Sequence, residues 1–151
     1  MPFLPKLFLK KISITIFTTL CINTYVLQCD EKTIPINNIL LKAAQEGDIE
    51  KVKAALSSGA YVDAQGDNNL TPLHLAARAG HFDIIQELLH AGANIQAKNK
   101  NNNTPLHSAA YGNQALAVCT LILKGADLKA QNKDGDTPLH SAAWKPSKDR
   151  Q

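Results

Sequence analysis

Thr71-Pro72-Leu73-His74-Leu75-Ala76-Ala77-Arg78-Ala79-Gly80 is the stretch that decides how the rest of the chain is read. Its first four residues recur as Thr104-Pro105-Leu106-His107 and as Thr137-Pro138-Leu139-His140, each 33 residues after the last. The small pairs Ala76-Ala77, Ala109-Ala110 and Ala142-Ala143 keep the same register. Ala43-Ala44 with Gly47 stands one period before Ala76-Ala77 with Gly80. Ser58-Gly59-Ala60, Ala91-Gly92-Ala93 and Lys124-Gly125-Ala126 follow the period as well. Self-similarity at a fixed interval marks a repeat architecture, so the unit is what needs a physical account.

Each part of the unit has a structural job. Thr is a strong helix N-cap and Pro suits the first helical position, so Thr-Pro starts a helix sharply. Leu73, Leu106 and Leu139 are then expected to make the first core contacts, and the alanine pairs to allow close helix approach. Gly80 permits a turn into a second helix whose apolar positions Phe82, Ile85, Leu88 and Leu89 follow helical spacing. Ile49, Val52 and Leu56 match in the preceding unit, and Val118, Leu121 and Ile122 in the following one. Gly59, Gly92 and Gly125 are placed to end these second helices in the left-handed conformation. Two short helices cannot bury an apolar face alone, so the units must stack.

On these residues the chain resembles the ankyrin repeat family over residues 38–145. The resemblance implies an all-α solenoid of stacked helix-turn-helix units joined by β-turn or hairpin loops. Its divisions are repeat 1 at 38–70 (cap-like), repeat 2 at 71–103, repeat 3 at 104–136 and a truncated repeat 4 at 137–145, with a linker at 30–37 and a polar tail at 146–151. Repeat 1 lacks Thr-Pro and carries Lys42, Gln45 and Glu46 on its first helix, which suits an end unit with one neighbour. Repeat 3 has Asn113 where repeat 2 has Gly80, and Asn tolerates the left-handed conformation. Repeat 4 meets Pro146 where its first helix should continue to a second.

The chain has 151 residues, 44% hydrophobic and 5% aromatic, so its core must be built from Leu, Ile, Val and Ala. Of the 16 bases, Lys6, Lys10 and Lys11 lie in residues 1–29 with no acid, leaving 13 bases against 13 acids in the body. A neutral body with no basic run argues against nucleic-acid binding. Ile12 to Cys29 is uncharged and closes on Asp30-Glu31-Lys32. That layout predicts a signal peptide or signal anchor at 1–29, hence export after cleavage, with membrane anchoring by residues 12–29, lipidation at Cys29 or a cytoplasmic protein as the alternatives. Cys21, Cys29 and Cys119 make no disulfide framework, and Cys119 falls at an exposed register position.

His74, His107 and His140 recur with the repeat and should stand roughly 10 Å apart in a stack, too far to share a metal. Each is expected to hydrogen-bond near its own helix start, while His81 and His90 face solvent. Asp63, Asp127, Asp134 and Asp136 read as turn formers, and the run Asn99 to Asn103 as a solvated turn. No phosphate loop, nucleophile elbow or carboxylate pair occurs, so neither enzymatic activity nor a cofactor is expected.

The resemblance implies a concave face made of loop tips and first helices. Carried across position by position, it selects Asp67, Asn68, Leu70 and Arg78 on the first helix of repeat 2 and the loop leading into it, and Lys100, Asn101, Asn103 and Tyr111 on those of repeat 3. On the helix of repeat 4 and the loop leading into it, it selects Lys133, Asp134, Asp136 and Trp144. Tyr111 and Trp144 occupy one position a repeat apart, and with Arg78 they are the residue types that dominate interface hot spots. The implied function is monomeric, non-enzymatic binding of a protein partner, with membrane contact only through residues 1–29. The alternatives are a truncated repeat protein without independent activity and an intracellular adaptor. Lys, Asn and Ile make up 14, 12 and 12 of the residues, a bias that with the leader is similar to ankyrin proteins of host-associated bacteria.

Overall fold

The computed structural model describes residues 35–144. The leader at 1–29, most of the linker, and the tail with Pro146 lie outside that span. Residues 35–46 form helix α1, followed by α2 (Ile49–Ser57), α3 (Pro72–Ala79), α4 (Phe82–His90), α5 (Pro105–Tyr111), α6 (Ala115–Leu123) and α7 (Pro138–Ala143). No strand occurs among the described residues. No helix among them is long and apolar enough to cross a membrane.

Helix starts follow from the tetrapeptide. Thr71, Thr104 and Thr137 are extended N-caps with Pro at the first helical position. Asp48 caps α2 differently: its carboxylate accepts from the Lys51 backbone N–H at 3.0 Å and pairs with the Lys51 ammonium at 2.8 Å. These contacts hold it below the usual carboxylate range. Turns follow from the residues allowed in left-handed backbone. Gly80 ends α3 at φ 82°, and in the next repeat Asn113 takes that conformation at φ 57°. Gly112 before it has ordinary φ, but a Cβ there would run into the Arg78 backbone carbonyl, so only Gly allows the approach of α5 to α3.

The inner helices stack α3 on α5 on α7, and the outer helices α2, α4 and α6 pack behind them. Leu40, Ala43, Ala44, Val52, Leu73, Ala76, Ala77, Ile84, Ile85, Leu88, Leu106, Ala109, Ala117 and Leu121 form one continuous core. Alanines at the crossings let backbones approach closely while leucines fill the spaces between layers. Lys42, Gln45 and Glu46 on α1 are exposed.

Two core expectations need correction. Phe82, the first residue of α4, is 37% exposed and Ile84 is buried instead. Helix α4 packs against α2 and α6 as well as α3, so its buried arc spans adjacent residues and leaves the helix start at the rim. Leu139 makes no equivalent core contact: it is 79% exposed, whereas Leu73 and Leu106 are sealed. Those two are covered by an outer helix and the next inner helix, and neither follows α7 among the described residues.

Candidate functional site

The hairpins between repeats are ordered by their asparagines. Asn99 N donates to Asn103 O at 3.0 Å, and Asn132 N donates to Asp136 O at 3.0 Å, one period on. The Asn99 amide oxygen accepts from the backbone N–H of Asn101 and Asn103, and that of Asn132 from Asp134 and Asp136. Neighbouring hairpins are then joined tip to tip: Lys100 N donates to Asn68 O at 2.8 Å and Lys133 N to Asn101 O at 3.0 Å. Asn132 Nδ2 adds a side-chain bond to Asn103 Oδ1 at 3.0 Å. The run Asn99 to Asn103 is therefore a structural clamp and not a merely solvated turn. Asp63 and Asp127 accept backbone N–H groups of Asn94 and Lys129.

The histidines span repeats. His74 Nδ1 accepts from Thr71 N at 3.2 Å and lies 2.8 Å from the Thr71 hydroxyl. The accepting role leaves Nδ1 unprotonated, so the proton sits on Nε2, which donates to Asn103 O at 2.9 Å. His107 repeats the pattern with Thr104 and with Asp136 O at 3.0 Å. Burial pushes both imidazoles below their ordinary pKa, against smaller opposing effects of those carbonyl bonds. His140 bonds Thr137 alike but reaches no further repeat among the described residues. His81, expected in solvent, instead lies 3.1 Å by Nε2 from Gln45 O at the end of α1. A helix-end carbonyl carries partial negative charge, and an imidazole N–H relieves it.

With the hairpins fixed on one side and the inner helices on the other, a groove of about 690 Å³ runs along repeats 2 to 4. Of the residues selected from sequence, it brings together Asn68, Leu70, Arg78, Asn101, Asn103, Tyr111, Asp134, Asp136 and Trp144. Asp67, Lys100 and Lys133 do not line it; they are exposed on the hairpins, and the two lysines meet neighbouring repeats through their backbone N–H groups. Sequence reasoning missed Leu75, Ser108 and Ser141, which also line it. Their 33-residue register, three residues before Arg78, Tyr111 and Trp144, was the available signal, since residues three apart share a helix face.

The Arg78 guanidinium carbon sits 5.2 Å from the centre of the Tyr111 ring, within cation–π range. Tyr111 is nevertheless 45% exposed and Trp144 77% exposed. Among the described residues, no group of three or more His, Cys, Asp or Glu comes together to hold a metal. Both ring nitrogens of His74 and His107 are engaged in hydrogen bonds.

Stacked helix-turn-helix units with bridging hairpins and a groove on the inner face define a helical repeat solenoid. The family model described as ankyrin repeats (three copies) matches residues 22–99, 40–132 and 96–149, and the chain belongs to the ankyrin repeat family. The comparison with curated proteins gives no match. Ankyrin repeats are generally protein-interaction modules and typically carry no catalysis.

Proposed function

We propose that this protein is a non-enzymatic module that holds a protein partner in the groove of repeats 2 to 4, and that residues 1–29 export it or tether it to a membrane. The observation that carries the binding half is the row Arg78, Tyr111 and Trp144. Three residues of hot-spot type line one groove, two of them stacked and all exposed, in a chain that is only 5% aromatic. Exposed aromatics on a firm scaffold contribute contact area at low entropic cost, because little must be ordered on binding. The side chains best suited to acid–base work, His74 and His107, are committed to holding repeats together.

The export half rests on Lys6, Lys10 and Lys11 ahead of the uncharged run from Ile12 to Cys29. Export would put its partners outside the producing cell, and the similarity to ankyrin proteins of host-associated bacteria makes host proteins the candidates.

Two measurements test this. Partner capture by the full chain should fall at least tenfold with Tyr111→Ala and with Arg78→Ala while helical circular dichroism is kept; unchanged capture refutes the groove. Intact mass of the protein from membrane, soluble and secreted fractions decides the rest. A full-length mass confined to the cytoplasm refutes export and tethering.

A further inference from the structure

The groove has an electrical polarity that the sequence pattern hides. In sequence, the selected positions mix signs along the whole row, because Lys100, Lys133 and Asp67 interleave with the others. In the structure those three do not line the groove, and the charged residues that do are Arg78 on α3 and Asp134 and Asp136 on the hairpin that leads into α7. Between them lie neutral groups: Asn101, Asn103, Ser108 and Tyr111. The ion pairs among the described residues, Lys42 with Glu46 and Lys51 with Asp48, are both near the start of the stack, so neither engages Arg78, Asp134 or Asp136. Arg78 lies over the Tyr111 ring and is exposed, and no side-chain hydrogen bond or ion pair among the described residues engages its guanidinium, whose N–H donors suit an incoming carboxylate. At the other end, the exposed Trp144 indole lines the groove with the two carboxylates, a combination that favours a cation by charge and by ring quadrupole.

We propose, building on the groove reading above, that the partner presents an extended segment with an acidic side chain for Arg78 and a lysine or arginine for Trp144, Asp134 and Asp136. The spacing follows from the stack. Packed helices lie roughly 8–10 Å apart, so two repeats separate the ends by about 16–20 Å. An extended chain advances about 3.3 Å per residue, which places the two charges five or six residues apart. The amides and hydroxyls between the ends face the backbone of such a segment, whose N–H and C=O groups need partners once water is displaced.

The test is panning of a phage-displayed library of random 12-residue peptides on the immobilised full chain. Enriched peptides are expected to carry an acid and a base five or six positions apart, and a representative should bind at least tenfold more weakly when either charge is replaced by its amide. Arg78→Gln should abolish the preference for the acid alone, and Asp134→Asn with Asp136→Asn the preference for the base alone. Enriched peptides that lose binding to Tyr111→Ala yet carry no such pair overturn the charge proposal and leave the groove reading standing. No enrichment over the starting library, or binders indifferent to Tyr111→Ala, overturns both.

Discussion

His74 Nε2 lies 2.9 Å from the carbonyl oxygen of Asn103, a residue 29 positions away that closes the next hairpin. One imidazole thus caps its own helix through Nδ1 and fixes the neighbouring repeat through Nε2. His107 does the same one repeat on, toward Asp136. The groove wall formed by the hairpins is held at a set distance from the inner helices by these two side chains.

A consequence is a loss of stability in mild acid. Nδ1 must accept from a backbone N–H, so protonation there turns an acceptor into a donor facing a donor. The folded imidazoles titrate below their ordinary value of 6.5, chiefly because burial disfavours the charge. The unfolded chain therefore takes up protons first as pH falls. The stabilisation is complete above pH 6.5 and declines as pH drops below it toward the folded pKa values. Asp48, also lowered, acts below its ordinary 3.8 and does not overlap. The melting temperature should fall by on the order of 5 °C between pH 7.5 and pH 5, and the double variant His74→Gln/His107→Gln should flatten that slope. An unchanged midpoint in the parent protein would refute the buried neutral state.

Identical motif positions should differ sharply in energetic weight. Leu106→Ala empties a sealed site and should cost about 2–5 kcal/mol. Leu139→Ala, at the same place in the fourth tetrapeptide, should cost less than about 0.5 kcal/mol because its side chain is already in water. Urea unfolding of both variants checks this; equal losses would mean that α7 has a cover over Leu139.

The unit was legible because the physics that builds it is local. Thr-Pro fixes a helix start, Gly80 and Asn113 fix turns, and the alanine pairs mark crossings, all within a few residues of each other. What escaped the sequence depends on neighbours. Leu139 matches Leu73 letter for letter, and only the absence of a covering layer among the described residues separates them. Asn99 and Asn132 look like generic turn residues until their amides are seen to accept two backbone N–H groups each. The groove was half visible: its helix residues follow from register, but Lys100 and Lys133 share a hairpin with Asn101 and Asp134 while standing outside the lining. Which way a hairpin side chain turns is set by bonds to the adjacent repeat.

Cys119 is exposed on the outer helix α6, beside Thr120, whose hydroxyl donates to Leu116 O at 2.7 Å. Its thiol should react to completion with an aromatic disulfide reagent in native buffer, with the label found on Cys119 by peptide mass mapping. The melting temperature should not move, since surface changes of this kind stay within about 0.5 kcal/mol. Labelling that requires denaturant would place Cys119 under a covering segment.

A methyl group added at Gly112 should do more damage than one added at Gly59. A Cβ there meets the Arg78 backbone carbonyl, and backbone cannot swing aside as a side-chain end would. Relief requires α5 to move away from α3, which also shifts Tyr111 from beneath Arg78 and disturbs the groove. Gly59 provides the comparison: its φ of 91° makes alanine strained, but no atom lies within 4 Å of the added group. Gly59→Ala should therefore cost about 1–2 kcal/mol through backbone strain alone. Gly112→Ala should cost at least about 1 kcal/mol more than that, in line with overpacking at a tight contact. Paired denaturation curves decide it, and a Gly112→Ala loss no larger than that of Gly59→Ala would show that the inner helices have room to separate.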